Sequence, residues 1–452
     1  MKRFLMLVVA VMALALPAAQ AQRINLNSEL NKLAKVDAAI ENVKKNTKAS
    51  TWIARGQAYA DAYMLPTKDL GRGVPVATLQ LNVGQPNEIV EGELQGVPAF
   101  VCNYDYIDVY LVNGLIEAWV RKAEIAENLP ETAIESFAHA YELDPSKGSR
   151  ISNSLLTLAN ALAQEGEVMN IFGQFDKASY AFELAFRAQA VVPSDATNYG
   201  YLYNAGMLQT MYASTLTGEE AVAAFARGAE LLNEAVTAGY VDEEANIYYY
   251  LFHCYYGQKD ADSARFLPMA KEALLTGIGI NPRNTTILDG LMQFYTAEEG
   301  VGDPAELTEM IEASLAADPE NYDLWFGRGR VYNALKDYEE CVNSFMHCVE
   351  LRPEDSEPYF YTGYFIVEKA NVQLEALNST SGMSYQEYQA QTDLINQVYS
   401  EAIPWMERAY ELDPTDTVAL EYLNMLCFRV RDTSAEMQAK YEHYHALYQA
   451  AQ

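Results

Sequence analysis

The chain has 452 residues, 50% of them hydrophobic and 12% aromatic, and a formal net charge of −31. This composition supports a large packed core. So much negative charge argues against nucleic acid or an anionic membrane as partner, because both are held by cationic side chains.

In chain order, Lys2 and Arg3 precede an apolar run over 4–16, and Ala19-Gln20-Ala21 supplies a small-x-small cleavage pattern. These features predict an export signal over 1–21 and a mature chain from Gln22. Loss of the two cations takes the charge from −31 to −33. The run is short of the ~20 apolar residues of a spanning helix, no later stretch suits membrane insertion, and no cysteine stands at the cleavage point to carry a lipid. The expectation is a soluble periplasmic or secreted protein without a lipid anchor.

Next, 30–43 reads as an amphipathic helix, and Trp52, Gly56 and Tyr59 mark the first helix of a pair. An insertion follows at about 67–108, rich in Gly and Pro, with short β-favouring runs such as 74–83 and 97–101. It predicts a hairpin or irregular flap inside the first pair. A second-helix pattern of small residue, aromatic or Met, small residue then recurs. It reads Ala133, Phe137, Ala140; Ala178, Phe182, Ala185; Ala221, Phe225, Gly228; Cys341, Phe345, Cys348; and Ala402, Met406, Ala409. First helices are expected at 199–209, 247–256, 287–295, 323–334, 359–366 and 420–428. Pro282, Pro319 and Pro353 are spaced by 37 and 34 residues. Residues 372–394 form a second insertion, and the polar stretch 434–452 reads as a closing helix.

The best-formed stretch is 323–353, DLWFGRGRVYNALKDYEECVNSFMHCVELRP. Trp325, Gly329 and Tyr332 share one helical face, and Cys341, Phe345 and Cys348 another, ending at Pro353. This order resembles the tetratricopeptide repeat (TPR), at that family's ~34-residue length. The resemblance implies an all-α fold: a right-handed α-solenoid of about eight TPR-like helix pairs, with a small β or irregular insertion in the first. The expected organisation is 22–145 for the N-terminal helix and first unit, 146–319 for degenerate repeats, and 320–452 for the C-terminal repeats and cap.

Nothing in the sequence marks a catalytic centre, a metal site or a cofactor loop. HExxH, GxSxG, GxxxxGK[ST] and CxxC are all missing. Asp260 and Asp262 open like a calcium loop, but Arg265 stands where its glycine should be. Asp105 and Asp108 are an unremarkable acidic pair. The five cysteines, Cys102, Cys254, Cys341, Cys348 and Cys427, are odd in number. Cys341 and Cys348 stand about 10 Å apart along one helix, beyond the ~7 Å reach of a disulfide, and read as buried thiols. The expectation is a non-enzymatic protein without cofactor or metal. In arrays resembling this family, first helices line a concave groove that binds a protein or peptide. Here that implies Tyr203, Tyr249, His253, Tyr256, Leu288, Met292, Tyr295, Phe326, Arg330, Asn333, Phe360, Tyr364 and Val367, on a chain whose acidity favours a basic partner. The alternative is a glycan-binding accessory protein of an exported nutrient-uptake system.

Overall fold

The computed structural model describes residues 24–68, 70–78, 84–298, 300–302 and 304–451. The predicted export signal lies outside them, as does the 79–83 part of the run expected to be strand-like. The fold is mostly helical with one small sheet near the N-terminus. A first helix, α1 (Leu26–Glu41), precedes the pairs. Its N-cap Asn25 accepts from the Ser28 amide. The helices then follow two by two: α2 (Ala49–Met64) and α3 (Leu129–Leu143), α4 (Gly148–Ile171) and α5 (Phe175–Ala190), α6 (Gly200–Ala213) and α7 (Gly218–Thr237), α8 (Asn246–Tyr256) and α9 (Ser263–Ile280), α10 (Thr285–Ala297) and α11 (Pro304–Ala317), α12 (Tyr322–Ala334) and α13 (Tyr338–Leu351), α14 (Ser356–Ser379) and α15 (Tyr385–Leu412), α16 (Thr417–Val430) and α17 (Ala435–Ala451). Among the described residues these make eight successive pairs, where about eight were expected.

Small residues set the helix spacing. A Cβ on Gly56 would sit 2.8 Å from the Phe137 ring, one on Gly166 2.8 Å from Phe182, and one on Gly329 2.5 Å from Phe345. In each of these pairs the aromatic of the second helix lies flat against the bare backbone of the first, which no larger residue permits. Helix α4, with Gly166 sixteen residues before Phe182, was not expected from the sequence. The same sixteen-residue step separates Gly329 from Phe345 and was the signal that could have found it.

The insertion is larger and more regular than expected. Strands β1 (Glu88–Leu94), β2 (Val97–Asn103), β3 (Ile107–Val112) and β4 (Leu115–Arg121) form an antiparallel meander in that order. Its end moves from 108 to Arg121. The signal for the last hairpin was Asn113-Gly114, both at positive φ, between two alternating runs. Trp119 and Arg121 tie the sheet to the helices: the Trp119 indole donates to Glu165 Oε2 at 3.4 Å, Arg121 Nε lies 3.1 Å from Glu165 Oε1, and Arg121 Nη1 donates to the Tyr63 carbonyl at 3.0 Å.

The chain divides into two compact units. One comprises residues to 241 together with 253–261, and the other comprises 242–252 and 262–452, so α8 is shared between them. The second insertion is the far end of α14 and α15, which run for 24 and 28 residues. A capping box of Ser384 and Glu387 starts α15. Helix α17 has no fully buried residue, though Met437, Tyr441 and Tyr444 pack partly buried against the core of α14–α16.

Candidate functional site

Three N-caps fix a common register within the second unit. Asn284, Asn321 and Asp355 accept from backbone amides at the starts of α10, α12 and α14. Counted from these caps, Arg330 and Tyr364 both stand nine residues in, Phe326 and Phe360 five, and Tyr295 and Tyr332 eleven. Tyr295 therefore occupies the inter-helix packing position that Tyr332 fills, and it is 9% exposed. The expectation that it lines a groove is corrected. Phe326 is corrected as well, being only 2% exposed. The loop between α9 and α10 presses on α12, where a Cβ on Gly327 would be 2.7 Å from Pro282. That contact brings Arg283 over the Phe326 ring at 4.2 Å, while Phe345 and Tyr361 pack edge-on at 5.1 and 5.6 Å. Leu288 is likewise core, as is Val367.

Arg330 remains half-buried on α12, with its guanidinium 5.0 Å over the Tyr361 ring. Its Nε is shielded from solvent without a hydrogen-bond partner. Asn333, one turn on, is also half-buried. Arg283 by contrast is engaged, 2.7 Å from Glu357 and 3.5 Å from Asp323. Burial raises Glu357 above the usual carboxylate range even though Arg283 pulls it down. Beyond Arg330 lie three half-buried rings: Phe360 and Tyr364 of α14, stacked at 6.2 Å, and Tyr422 of α16, 5.8 Å from both. Burial, then the Glu368 carboxylate, raises the Tyr364 and Tyr422 hydroxyls, which therefore stay protonated as donors. The surface joins a cation that forms no close ion pair among the described residues, with Glu357 as its neighbouring charge, to an aromatic platform with two hydroxyls. Tyr422 was missed because the expectation stopped at α14, although it stands in the first helix of the last pair.

The other expected residues make different contacts. Tyr249 packs on Tyr250 and Phe252 at 5.7 and 6.5 Å in the second unit. Tyr203 packs on Tyr240 at 5.8 Å in the first. Tyr256, also in the first, carries Lys259 Nζ 4.2 Å over its ring. His253 is held below the usual histidine range by burial. Met292 is half-buried on α10.

The discarded motifs have structural explanations. Asp262 is the N-cap of α9. Asp105 accepts from Asn87, and Asp108 accepts from Asn103 and pairs with Lys122 at 2.8 Å. Among the described residues no three His, Cys, Asp or Glu side chains converge as metal ligands, and no helix is long and apolar enough to cross a membrane.

Residues 322–355 match the tetratricopeptide repeat family model, the stretch that packs as α12 and α13. The chain is thus built of helix pairs, one of which, α12 with α13, is similar to that family's repeat. No curated protein matches it. Among solved structures it is similar to a tetratricopeptide repeat protein from Parabacteroides merdae ATCC 43184, with 14% identity, 59% of this chain and 98% of that one covered, and a TM-score of 0.27. A TPR repeats protein from Bacteroides fragilis NCTC 9343 shows 12% identity, 59% and 97% coverage, and 0.26. The TPR2AB-domain–pHSP90 complex of yeast Sti1 shows 16%, 65% and 93%, and 0.24.

Proposed function

We propose that this is a non-catalytic binding protein of the cell envelope, which holds a protein or peptide partner on the face of α12, α14 and α16. The observation that carries the reading is Arg330. A half-buried guanidinium whose Nε has no hydrogen-bond partner, and which meets Glu357 only as a neighbouring charge, leaves part of its hydrogen-bonding capacity unused. A partner's acidic group would use it. Phe360, Tyr364 and Tyr422 would then take an apolar or aromatic side chain, since half-exposed rings with a polar tip suit interface contact. The N-terminal export pattern supports the envelope location.

The test is a pull-down from envelope extract with the full chain and with an Arg330→Ala/Tyr364→Ala variant, whose thermal melt is compared with the parent. A polypeptide retained by the parent and lost from a folded variant supports the reading. Equal retention by both overturns this site. Enrichment of polysaccharide alone replaces the protein partner with a glycan.

A further inference from the structure

We infer that the outer edge of β1 is a second docking surface, independent of the α12–α16 face, and that it takes an extended basic segment of a partner protein as a fifth strand. The two edges of the sheet are finished differently. Beyond β4 the chain folds back on itself: the Gly73 amide donates to the Ile116 carbonyl at 2.7 Å, the Ile116 amide to the Val74 carbonyl at 2.9 Å, and the Val76 amide to the Gly114 carbonyl at 3.1 Å. An isolated bridge between Pro75 and Leu115 completes that closure. At the other edge β1 pairs with β2 alone among the described residues, over the full length from Glu88↔Asn103 to Leu94↔Val97. Six of its seven residues are exposed. A strand in this position presents a row of backbone donors and acceptors to whatever extended chain meets it.

The side chains select the occupant. The strand reads Glu-Ile-Val-Glu-Gly-Glu-Leu, three carboxylates and no cation, and Glu88, Glu91 and Glu93 form no ion pair among the described residues. A second copy laid against β1 would set Glu91 against Glu91 in the centred antiparallel register, and all three acids against their copies in the parallel one, which is destabilising across a strand pair. The same acids that disfavour self-pairing favour lysine or arginine on the incoming strand. Ile89 and Val90 are 39% and 37% exposed, so apolar residues alternating with the cations would also be covered. The complementary segment is therefore an alternating basic and apolar strand.

The probe is a fluorescein-labelled peptide of four Lys-Val repeats, titrated by anisotropy into the full chain, with four Glu-Val repeats as control. Hydrogen exchange of residues 88–94 is followed with and without peptide. The Lys-Val peptide should bind, slow exchange in β1 and not elsewhere, and lose affinity by about tenfold or more in a Glu91→Lys/Glu93→Lys variant of unchanged melting temperature. Arg330→Ala should leave this binding unaltered, which separates it from failure of the α12–α16 site. Protection outside β1, equal affinity in the charge-reversed variant, or β1 amides already protected in a dimer of the free chain would each overturn the inference.

Discussion

Gly329 shows how much of this architecture hangs on single atoms. Its Cβ would enter the Phe345 ring at 2.5 Å, and Phe345 is itself closed in by Phe326, Tyr361 and Phe365. Neither side can yield. Gly329→Ala should cost about 1–3 kcal/mol, read as a lower urea midpoint, and a midpoint equal to the parent's would show that the rings repack freely. The cysteines make a second residue-scale case. All five are free and buried, and burial pushes the Cys254 thiol up to about 12 and that of Cys427 to about 11. These folded-state values lie above the ordinary thiol range, so their contribution to stability is complete below it and declines as pH rises towards 11 and 12. The melting temperature should hold near neutrality and fall above about pH 9, where unfolded thiols ionise. Ellman's reagent should label five thiols only after denaturation. Fast native labelling would contradict their burial.

At the scale of elements, one device recurs in three pairs. The indoles of Trp52 and Trp325 and the hydroxyl of Tyr359 each donate to a carbonyl six residues earlier, those of Asn46, Pro319 and Pro353. Each ring meets a cation-capable side chain of the second helix, His139 at 4.3 Å, His347 at 4.1 Å and Arg408 at 6.0 Å. Each of those pairs with a glutamate three residues on, Glu142, Glu350 and Glu411. The device fastens the entry loop to both helices of a pair. Trp325→Phe keeps an aromatic ring, though a smaller one, and deletes the donor, and should lower stability by about 1 kcal/mol, measured by urea unfolding. A loss several times larger would mean that the ring's shape matters more than its hydrogen bond. The sheet's anchor is costlier to break. Arg121→Ala leaves Glu165 buried without its cation and should destabilise by about 3–5 kcal/mol, with β4 amides exchanging faster than those of α15. Uniform acceleration across the chain would contradict an anchor confined to the sheet.

These elements also mark what was legible in advance. Pairs that use Trp, Gly, Phe and Pro at fixed offsets could be read directly, which is why α12 and α13 were recognised and α2 and α3 found around an insertion. The sheet's second half was not, because 107–121 sits against the start of α3 and its Asn-Gly turn was passed over. Arg330 could be placed on the right face by helical period alone. Phe326 could not be told from a contact residue, because what covers it is Arg283, brought from an adjoining loop that periodicity does not describe.

For the molecule as a whole, an acidic chain of helix pairs in two units carries, on the α12–α16 face, a guanidinium with an unpartnered Nε beside half-buried rings. Arg328, two residues away, is by contrast fully engaged, binding Glu312, Glu340 and Ser344. The measurement that tests the account most directly places a photo-crosslinking benzoylphenylalanine at Tyr364 and, separately, at Met346, an exposed position on the second helix α13. After irradiation in the producing cell, Tyr364 should yield a discrete adduct to one polypeptide and Met346 should not. An adduct from Met346 alone, or equal adducts from both, would contradict a partner held on the first-helix face.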